Sequence, residues 1–283
     1  MTRRDEQAPG LGPPIDVRPL FPEQQAAFIE LLGGLDTDEW GRATVCPGWS
    51  VKDIAAHVLG DHLGRLSMHR DGFTALRPLA GEPFPRFLDR INDEWVTAAR
   101  RISPALLVGL LTEVGDQVAD FWQGVDLEEL GGSVSWAGPE AHPVWLDAAR
   151  DFSEYWTHHQ QICDATRRRG LTDPRYLGPV LDTFMRALPH TMRDVLADEG
   201  TVLQVVVPGF GGWACGRGEQ RWSLWRGTES QPDASIELDA DTAWRLCTRG
   251  ITPAAAGERA LVRGDRRLAE AALQIVSIIH SGA

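Results

Sequence analysis

The sequence predicts a helical N-terminal region that is followed by a small α+β unit. Apolar residues recur with helical periodicity up to about residue 198 of the 283-residue chain, and short β-branched runs between Gly-rich turns follow. We therefore expect a disordered tail over residues 1–20, a helical bundle over residues 21–198 and a small α+β domain over residues 199–283. The predicted boundary between the last two lies near Glu199–Gly200.

Local signals define the helices of the N-terminal region. A helical pattern begins at Pro22 and ends near Gly33–Gly34, and Ser50 with Asp53 forms a capping-box pattern that predicts a helix to about Met68. The other predicted helices of this region cover Arg86–Ile102, Pro104–Trp122, Asp147–Arg169 and Tyr176–Leu196.

The C-terminal region is predicted to contain both strands and helices. The segments TVLQVVVPG, QRWSLWRG and ASIELDA are expected to be strands, and DTAWRLCTRG and DRRLAEAALQIVSIIH are expected to be helices. The Gly-rich segment at residues 209–218 superficially suggests a phosphate loop, but it lacks the GxGxxG and GxxxxGK[ST] patterns. We expect it to be a flexible connection between strands.

Composition excludes several classes of protein. The chain has 28 basic and 40 acidic residues, and this net charge of −12 argues against nucleic acid or an anionic membrane as the main partner. Its apolar runs are too short to span a bilayer, and no apolar segment follows Arg3 and Arg4 as it would in a secretory signal. The four scattered cysteines form no CxxC pair, which predicts reduced thiols in a cytoplasmic protein.

Three residues form a candidate metal site. Glu154 and His158 lie four residues apart, so on a helix both side chains project from one face. His57, on the apolar side of an upstream helix, is the third candidate ligand. Three nitrogen and oxygen ligands without an obvious fourth are typical of an open catalytic site. The alternatives are a surface contact between Glu154 and His158, and a buried structural role for His57.

The neighbouring residues leave further alternatives open. His159 is rotated from Glu154 and should support the ligands or pack against another helix. Asp151 could replace a ligand or orient a ligating histidine. Asp53 and Asp61 lie one turn to either side of the upstream histidine, and either could bind its second ring nitrogen.

The segments CPGWSVKDIAAHVLG and EYWTHHQQI together resemble the mycothiol-dependent maleylpyruvate isomerase family. The resemblance extends from about Pro22 through the C-terminal segment ASIELDADTAWRLCTRGI. It implies a DinB-like four-helix bundle followed by a small α+β domain similar to sterol-carrier proteins. The motif positions imply that His57, Glu154 and His158 hold a divalent metal, usually zinc, with open positions for water or a thiol. The chain has Gln161 where the family often carries an acidic residue.

The resemblance also implies a chemistry. We expect a metal-dependent isomerase or S-transferase that uses the low-molecular-weight thiol mycothiol on a small, electrophilic, carboxylate-bearing substrate. A thiolate would add to the substrate and then leave after bond rotation in an isomerase, or stay attached in a transferase. Arg249, with Arg245 as the rival, would hold the carboxylate. The alternative is a non-catalytic protein that binds a small molecule or lipid and has a structural or degenerate metal site.

Overall fold

Packing groups the chain into two compact units, each built from segments that are separate in sequence. A computed structural model describes residues 10–74 and 76–278. Within them, the helical unit contains residues 17–126 and 151–172, and the sheet unit contains residues 10–16, 127–150 and 173–278. This grouping differs from the contiguous division expected from the sequence, because residues 127–150 and 173–198 pack with the sheet. The predicted domain boundaries themselves stay a prediction.

The helical unit carries the residues of the candidate site. Its helices are α1 (Phe21–Gly33), α2 (Thr37–Trp40), α3 (Val51–Arg65), α4 (Phe84–Ala99), α5 (Pro104–Gln123) and, from residue 151 onward, α6 (Val144–Thr166). Helices α1 and α3 both pack on α5, and α4 packs on α3. A π-helical turn over Leu66–Arg70 extends α3. The five helices predicted between Pro22 and Arg169 are therefore confirmed, with ends shifted by a few residues.

The start of α3 follows the predicted capping box. The hydroxyl of Ser50 accepts a hydrogen bond from the backbone N–H of Asp53, and the Asp53 carboxylate accepts one from the backbone N–H of Ser50. The two reciprocal bonds satisfy N–H groups that the first helical turn leaves without partners. They fix the residue at which α3 begins, and so the register of the helix that carries His57.

Residues 10–20 differ from the disordered tail expected over residues 1–20; residues 1–9 lie outside the described residues. Leu11 and Val17 are 2% and 0% exposed, and the backbone N–H of Leu224 donates to the carbonyl of Gly10. Burial of apolar side chains stabilises this segment despite its Pro and Gly content.

The sheet unit contains a five-stranded sheet and a small hairpin. The sheet has the strand order β5-β4-β3-β6-β7, and the pairing of β3 with β6 is parallel, whereas its other pairs are antiparallel. The hairpin pairs β1 (Leu130–Ser133) with β2 (Ala141–Pro143). The sheet strands are β3 (Val202–Val207), β4 (Gly211–Arg217), β5 (Trp222–Arg226), β6 (Ala234–Glu237) and β7 (Leu261–Gly264). The helices are α7 (Pro174–Met185), α8 (Leu188–Met192), α9 (Ala240–Cys247), α10 (Pro253–Arg259) and α11 (Arg266–Ala272). Helices followed by a small α+β part confirm the predicted fold class.

Three local expectations for this unit were wrong. The Gly-rich segment expected to be a flexible connection forms β4, which pairs with a strand on each side. The helix expected over Tyr176–Leu196 is divided into α7 and α8, and Pro189 lies in the first turn of α8, where its missing backbone N–H would have no partner within the helix. The last helix ends at Ala272 rather than near His280, and residues 279–283 lie outside the described residues.

Among the residues that the structure describes, none of the helices is both long enough and apolar enough to cross a membrane.

Candidate metal centre

Helices α3 and α6 bring the three candidate ligands together. The Nε2 atom of His158 lies 3.1 Å from the Oε1 atom of Glu154, and the Nε2 atom of His57 lies 3.8 Å from the same oxygen. The two imidazole rings meet edge to face, with 4.7 Å between their centroids. One ligand atom from each residue lies within 4.8 Å of the other two.

The arrangement of these donor atoms fits a divalent cation. Zinc binds imidazole nitrogen and carboxylate oxygen at about 2.0–2.2 Å, so ligand atoms around a tetrahedral ion lie about 3.3 Å apart. The distances of 3.1 and 3.8 Å are close to that separation. Both imidazoles are buried, whereas the Glu154 side chain is 36% exposed. The cluster is therefore reached from solvent on the Glu154 side, where a further ligand could bind.

The charges of the cluster stabilise one another. Burial alone would raise the pKa of Glu154, but hydrogen bonds to His158 and His57 outweigh burial and hold that pKa well below its usual range. Burial alone would lower the pKa of His57, but the negative charges of Asp61 and Glu154 raise it instead. The site is thus a carboxylate between two imidazoles, for which protons and a cation would compete.

Asp61 is a fourth polar group at this site. Its Oδ2 atom lies 3.3 Å from the Nε2 atom of His57, the nitrogen that also faces Glu154. The expectation that Asp61 or Asp53 binds the second nitrogen of His57 was wrong. Asp53 instead accepts hydrogen bonds from Arg100 and from the helix start. The Nδ1 atom of His57 is buried without a hydrogen-bond partner in the described part of the chain.

Gln161 binds the outer nitrogen of His158. Its Oε1 atom lies 2.8 Å from the Nδ1 atom of His158 and 3.4 Å from the Sγ atom of Cys46. Sequence reasoning noted Gln161 only as a departure from a family pattern and gave Cys46 no role. The signal that could have found Gln161 is its spacing, because residue i+3 on a helix lies beside residue i.

The other neighbours have structural partners. Asp151 does not replace a ligand, because both its oxygens accept hydrogen bonds from Arg65 at 2.7 and 2.6 Å. His159 packs near Phe28 of α1, as one of the two alternatives predicted. Trp156 is fully buried and donates to the carbonyl of Leu171.

Arg249 belongs to the sheet unit and follows α9. Its guanidinium donates to the backbone carbonyls of Leu246, Gln274 and Ile275, and its backbone φ is 58°. The rival, Arg245, donates to the Asp241 carboxylate at 2.8 Å. A role for either arginine at the triad stays a prediction.

The fold and the site together place this protein in a class: helical bundles in which two helices bring two histidines and one carboxylate together as a candidate metal centre. Residues 21–163 match the family described as the mycothiol maleylpyruvate isomerase N-terminal domain, which is half of the chain. The chain belongs to this family, as its two motif segments indicate.

Solved structures support the fold. Two crystal structures of the mycothiol-dependent maleylpyruvate isomerase, one of them of a mutant, align with TM-scores of 0.51 and 0.52 at 13% and 14% identity. Each alignment covers 81% of this chain and 86% of the other. At such identity the likeness concerns the fold alone. No curated protein matches the chain by sequence. Similarity of the C-terminal part to sterol-carrier proteins stays a prediction.

Proposed function

We propose that this protein is a metal-dependent isomerase or S-transferase that uses mycothiol as its thiol cosubstrate. Its substrate is a small electrophilic molecule that carries a carboxylate. The observation that supports this proposal most is the convergence of His57, Glu154 and His158, at 3.1 and 3.8 Å, in a chain of this family. Two imidazoles and one carboxylate are the ligand set of several catalytic zinc sites that keep a position free.

The three residues would hold the cation, and zinc is the metal that we expect first. When bound, the cation supplies positive charge that stabilises a thiolate at neutral pH. The low pKa of Glu154 keeps its carboxylate ionised and ready to bind. Because Glu154 is the most exposed of the three, the thiol would approach on its side of the cluster.

The nucleophilic thiol would come from outside the chain. Burial raises the pKa of Cys46 and of Cys163 to about 11 and that of Cys247 to about 12, and it raises the pKa of Cys215 still further. A thiol with such a pKa is almost entirely protonated at neutral pH and is a poor nucleophile. The cysteines of this chain are therefore unsuited to the role, which favours a separate thiol cosubstrate.

The reaction begins with formation of a sulfur–carbon bond to the electrophilic carbon of the substrate. If that carbon is part of a conjugated double bond, its electron pair moves toward the carbonyl and the double bond becomes single. Rotation about this bond, followed by cleavage of the sulfur–carbon bond and return of the electron pair, gives the isomer and releases the thiolate. Protonation of the adduct instead gives the product of an S-transferase. Arg249, or Arg245, would hold the substrate carboxylate through paired hydrogen bonds.

Elemental mass spectrometry of purified protein tests the metal site first. We expect near-stoichiometric zinc in the wild type and little in Glu154→Ala. Glu113→Ala removes an exposed carboxylate from α5 and is the matched control, which should keep its metal. Equal metal in the wild type and in Glu154→Ala would show that Glu154 is not a required ligand.

Turnover separates the two reactions and the non-catalytic alternative. Wild-type protein with zinc, mycothiol and a cis-unsaturated keto acid should give either the trans isomer with free thiol or a stable thiol adduct, which mass spectrometry distinguishes. Both products should be lost in His57→Ala. A wild type that stays metal-free after reconstitution and gives neither product would refute the proposal and favour a small-molecule-binding protein.

A further inference from the structure

The two ligating histidines differ in what binds their outer nitrogens. The Nδ1 atom of His158 lies 2.8 Å from the Oε1 atom of Gln161, whereas the Nδ1 atom of His57 is buried without a hydrogen-bond partner in the described part of the chain. His57 is instead packed near the ring of Trp49, with 5.0 Å between the centroids. A hydrogen bond therefore orients only one of the two imidazoles from behind.

We propose that Gln161 is a positioning residue that holds His158 with its proton on Nδ1 and its Nε2 lone pair directed at the cation site. This inference rests on the proposed function, since it assigns a role toward the same metal. An amide oxygen only accepts hydrogen bonds, so the Nδ1 atom that faces it must be the donor. A neutral imidazole with Nδ1 protonated has its free lone pair on Nε2, and this is the nitrogen that faces Glu154.

Cys46 determines which end of the Gln161 amide faces His158. The Sγ atom of Cys46 lies 3.4 Å from the same Oε1 atom. A raised pKa, caused first by burial and then by the charge of Glu154, keeps this thiol protonated and able to donate. Two donors then point at one position, which favours the oxygen over the amide nitrogen there. The amide thereby links α6 to the segment that precedes α3.

The use of an amide in place of a carboxylate has an electrostatic consequence. Glu154 and Asp61 already place two carboxylates at the cation site. A third carboxylate at position 161 would add negative charge beside Cys46 and would disfavour the thiolate form of that residue further. Gln161 orients the imidazole without that charge.

Zinc affinity of four proteins tests the proposal, by competition with a chromophoric chelator at neutral pH. Gln161→Met removes the acceptor and keeps a side chain of similar length, so we expect zinc binding about tenfold to a hundredfold weaker. Gln161→Glu keeps an acceptor and should bind at least as tightly as the wild type, because a carboxylate is the stronger acceptor for an imidazole N–H. The matched control is Gln160→Met, the same change at the adjacent buried glutamine of α6, which should leave the affinity unchanged.

Two further measurements distinguish positioning from general damage to the fold. Visible absorption of the cobalt-loaded protein reports the ligand geometry and should change in Gln161→Met but not in Gln160→Met. Cys46→Ala should weaken binding less than Gln161→Met does, and should add nothing in the Gln161→Met background, because both act through one amide oxygen.

Each outcome decides the matter. Wild-type affinity in Gln161→Met, or an equal loss in Gln160→Met, would overturn the role of Gln161 and leave the metal proposal standing. Loss in Gln161→Met together with retention in Gln161→Glu supports the positioning role. A wild type that binds no zinc would overturn both.

Discussion

The buried ion pair between Arg65 and Asp151 should stabilise the pair of helices that carries the candidate metal ligands. Arg65 lies on the face of α3 that bears His57 and Asp61, at four-residue intervals, and Asp151 lies three residues before Glu154 on α6. Two hydrogen bonds of 2.7 and 2.6 Å join the guanidinium to both carboxylate oxygens. The side chains are only 7% and 11% exposed.

The cost of removing one partner follows from this burial. In Arg65→Met the Asp151 carboxylate, 3.5 Å from the Tyr155 hydroxyl, would stay in the interior and lose both hydrogen bonds to the guanidinium. Removal of one partner of a buried ion pair lowers the free energy of unfolding by about 3–5 kcal/mol. Removal of both charges avoids that penalty, so Arg65→Met with Asp151→Leu should be more stable than either single variant.

Urea unfolding of the metal-free proteins, followed by circular dichroism, measures this coupling in a double-mutant cycle. We expect a large positive coupling free energy and, in the single variants, weaker zinc binding because α3 and α6 lose their fixed spacing. Arg100→Met is the control: the arginine is 53% exposed and its partner Asp53 keeps its hydrogen bonds to Ser50, so the change should cost about 1 kcal/mol or less. A loss below about 1 kcal/mol in Arg65→Met, or a double variant as unstable as the sum of the singles, would refute the reasoning.

Three further predictions concern the site itself. Zinc affinity should fall as pH falls, by about tenfold per pH unit for each proton displaced. The reason is that the raised pKa of His57 lets protons compete with zinc at higher pH than they would for an ordinary imidazole. Chelator competition at stepped pH measures this, and an affinity that does not change with pH would contradict it. Iodoacetamide should label Cys46 slowly at neutral pH and faster as the pH approaches its pKa of about 11, as read by peptide mass spectrometry; rapid labelling at neutral pH would show that the thiol is not held protonated. Asp61→Asn should weaken zinc binding by about tenfold, because a carboxylate beside His57 is lost, whereas unchanged affinity would place Asp61 outside the site.

The helices could be predicted because their signals are local. The capping box at Ser50 and Asp53 fixes the start of α3 through bonds that span only three residues. The missed strand β4 depended instead on non-local contacts. A Cβ atom at Gly212 would collide with Thr228, and one at Gly216 would lie 2.8 Å from the ring of Trp225 on β5. These glycines leave room for side chains from neighbouring segments. A Gly-rich composition is also typical of a flexible turn, so composition alone does not distinguish a strand of this kind from a turn.

The site shows the same division between local and distant contacts. Glu154 and His158 could be paired by spacing, and His57 by family resemblance, but spacing treats Asp53 and Asp61 alike because each lies one turn from His57. The capping box could have separated them, since an acidic residue three positions into a helix already binds the backbone at the helix start. Asp53 has that role, which leaves Asp61 as the carboxylate of α3 at the candidate cation site.

No such local signal existed for Asp151. Its oxygens bind Arg65, a residue on another helix whose position beside it depends on the packing of α3 against α6. Where two acidic residues are equivalent by spacing and neither caps a helix, tertiary contacts therefore decide which one is a candidate ligand and which one forms a structural ion pair.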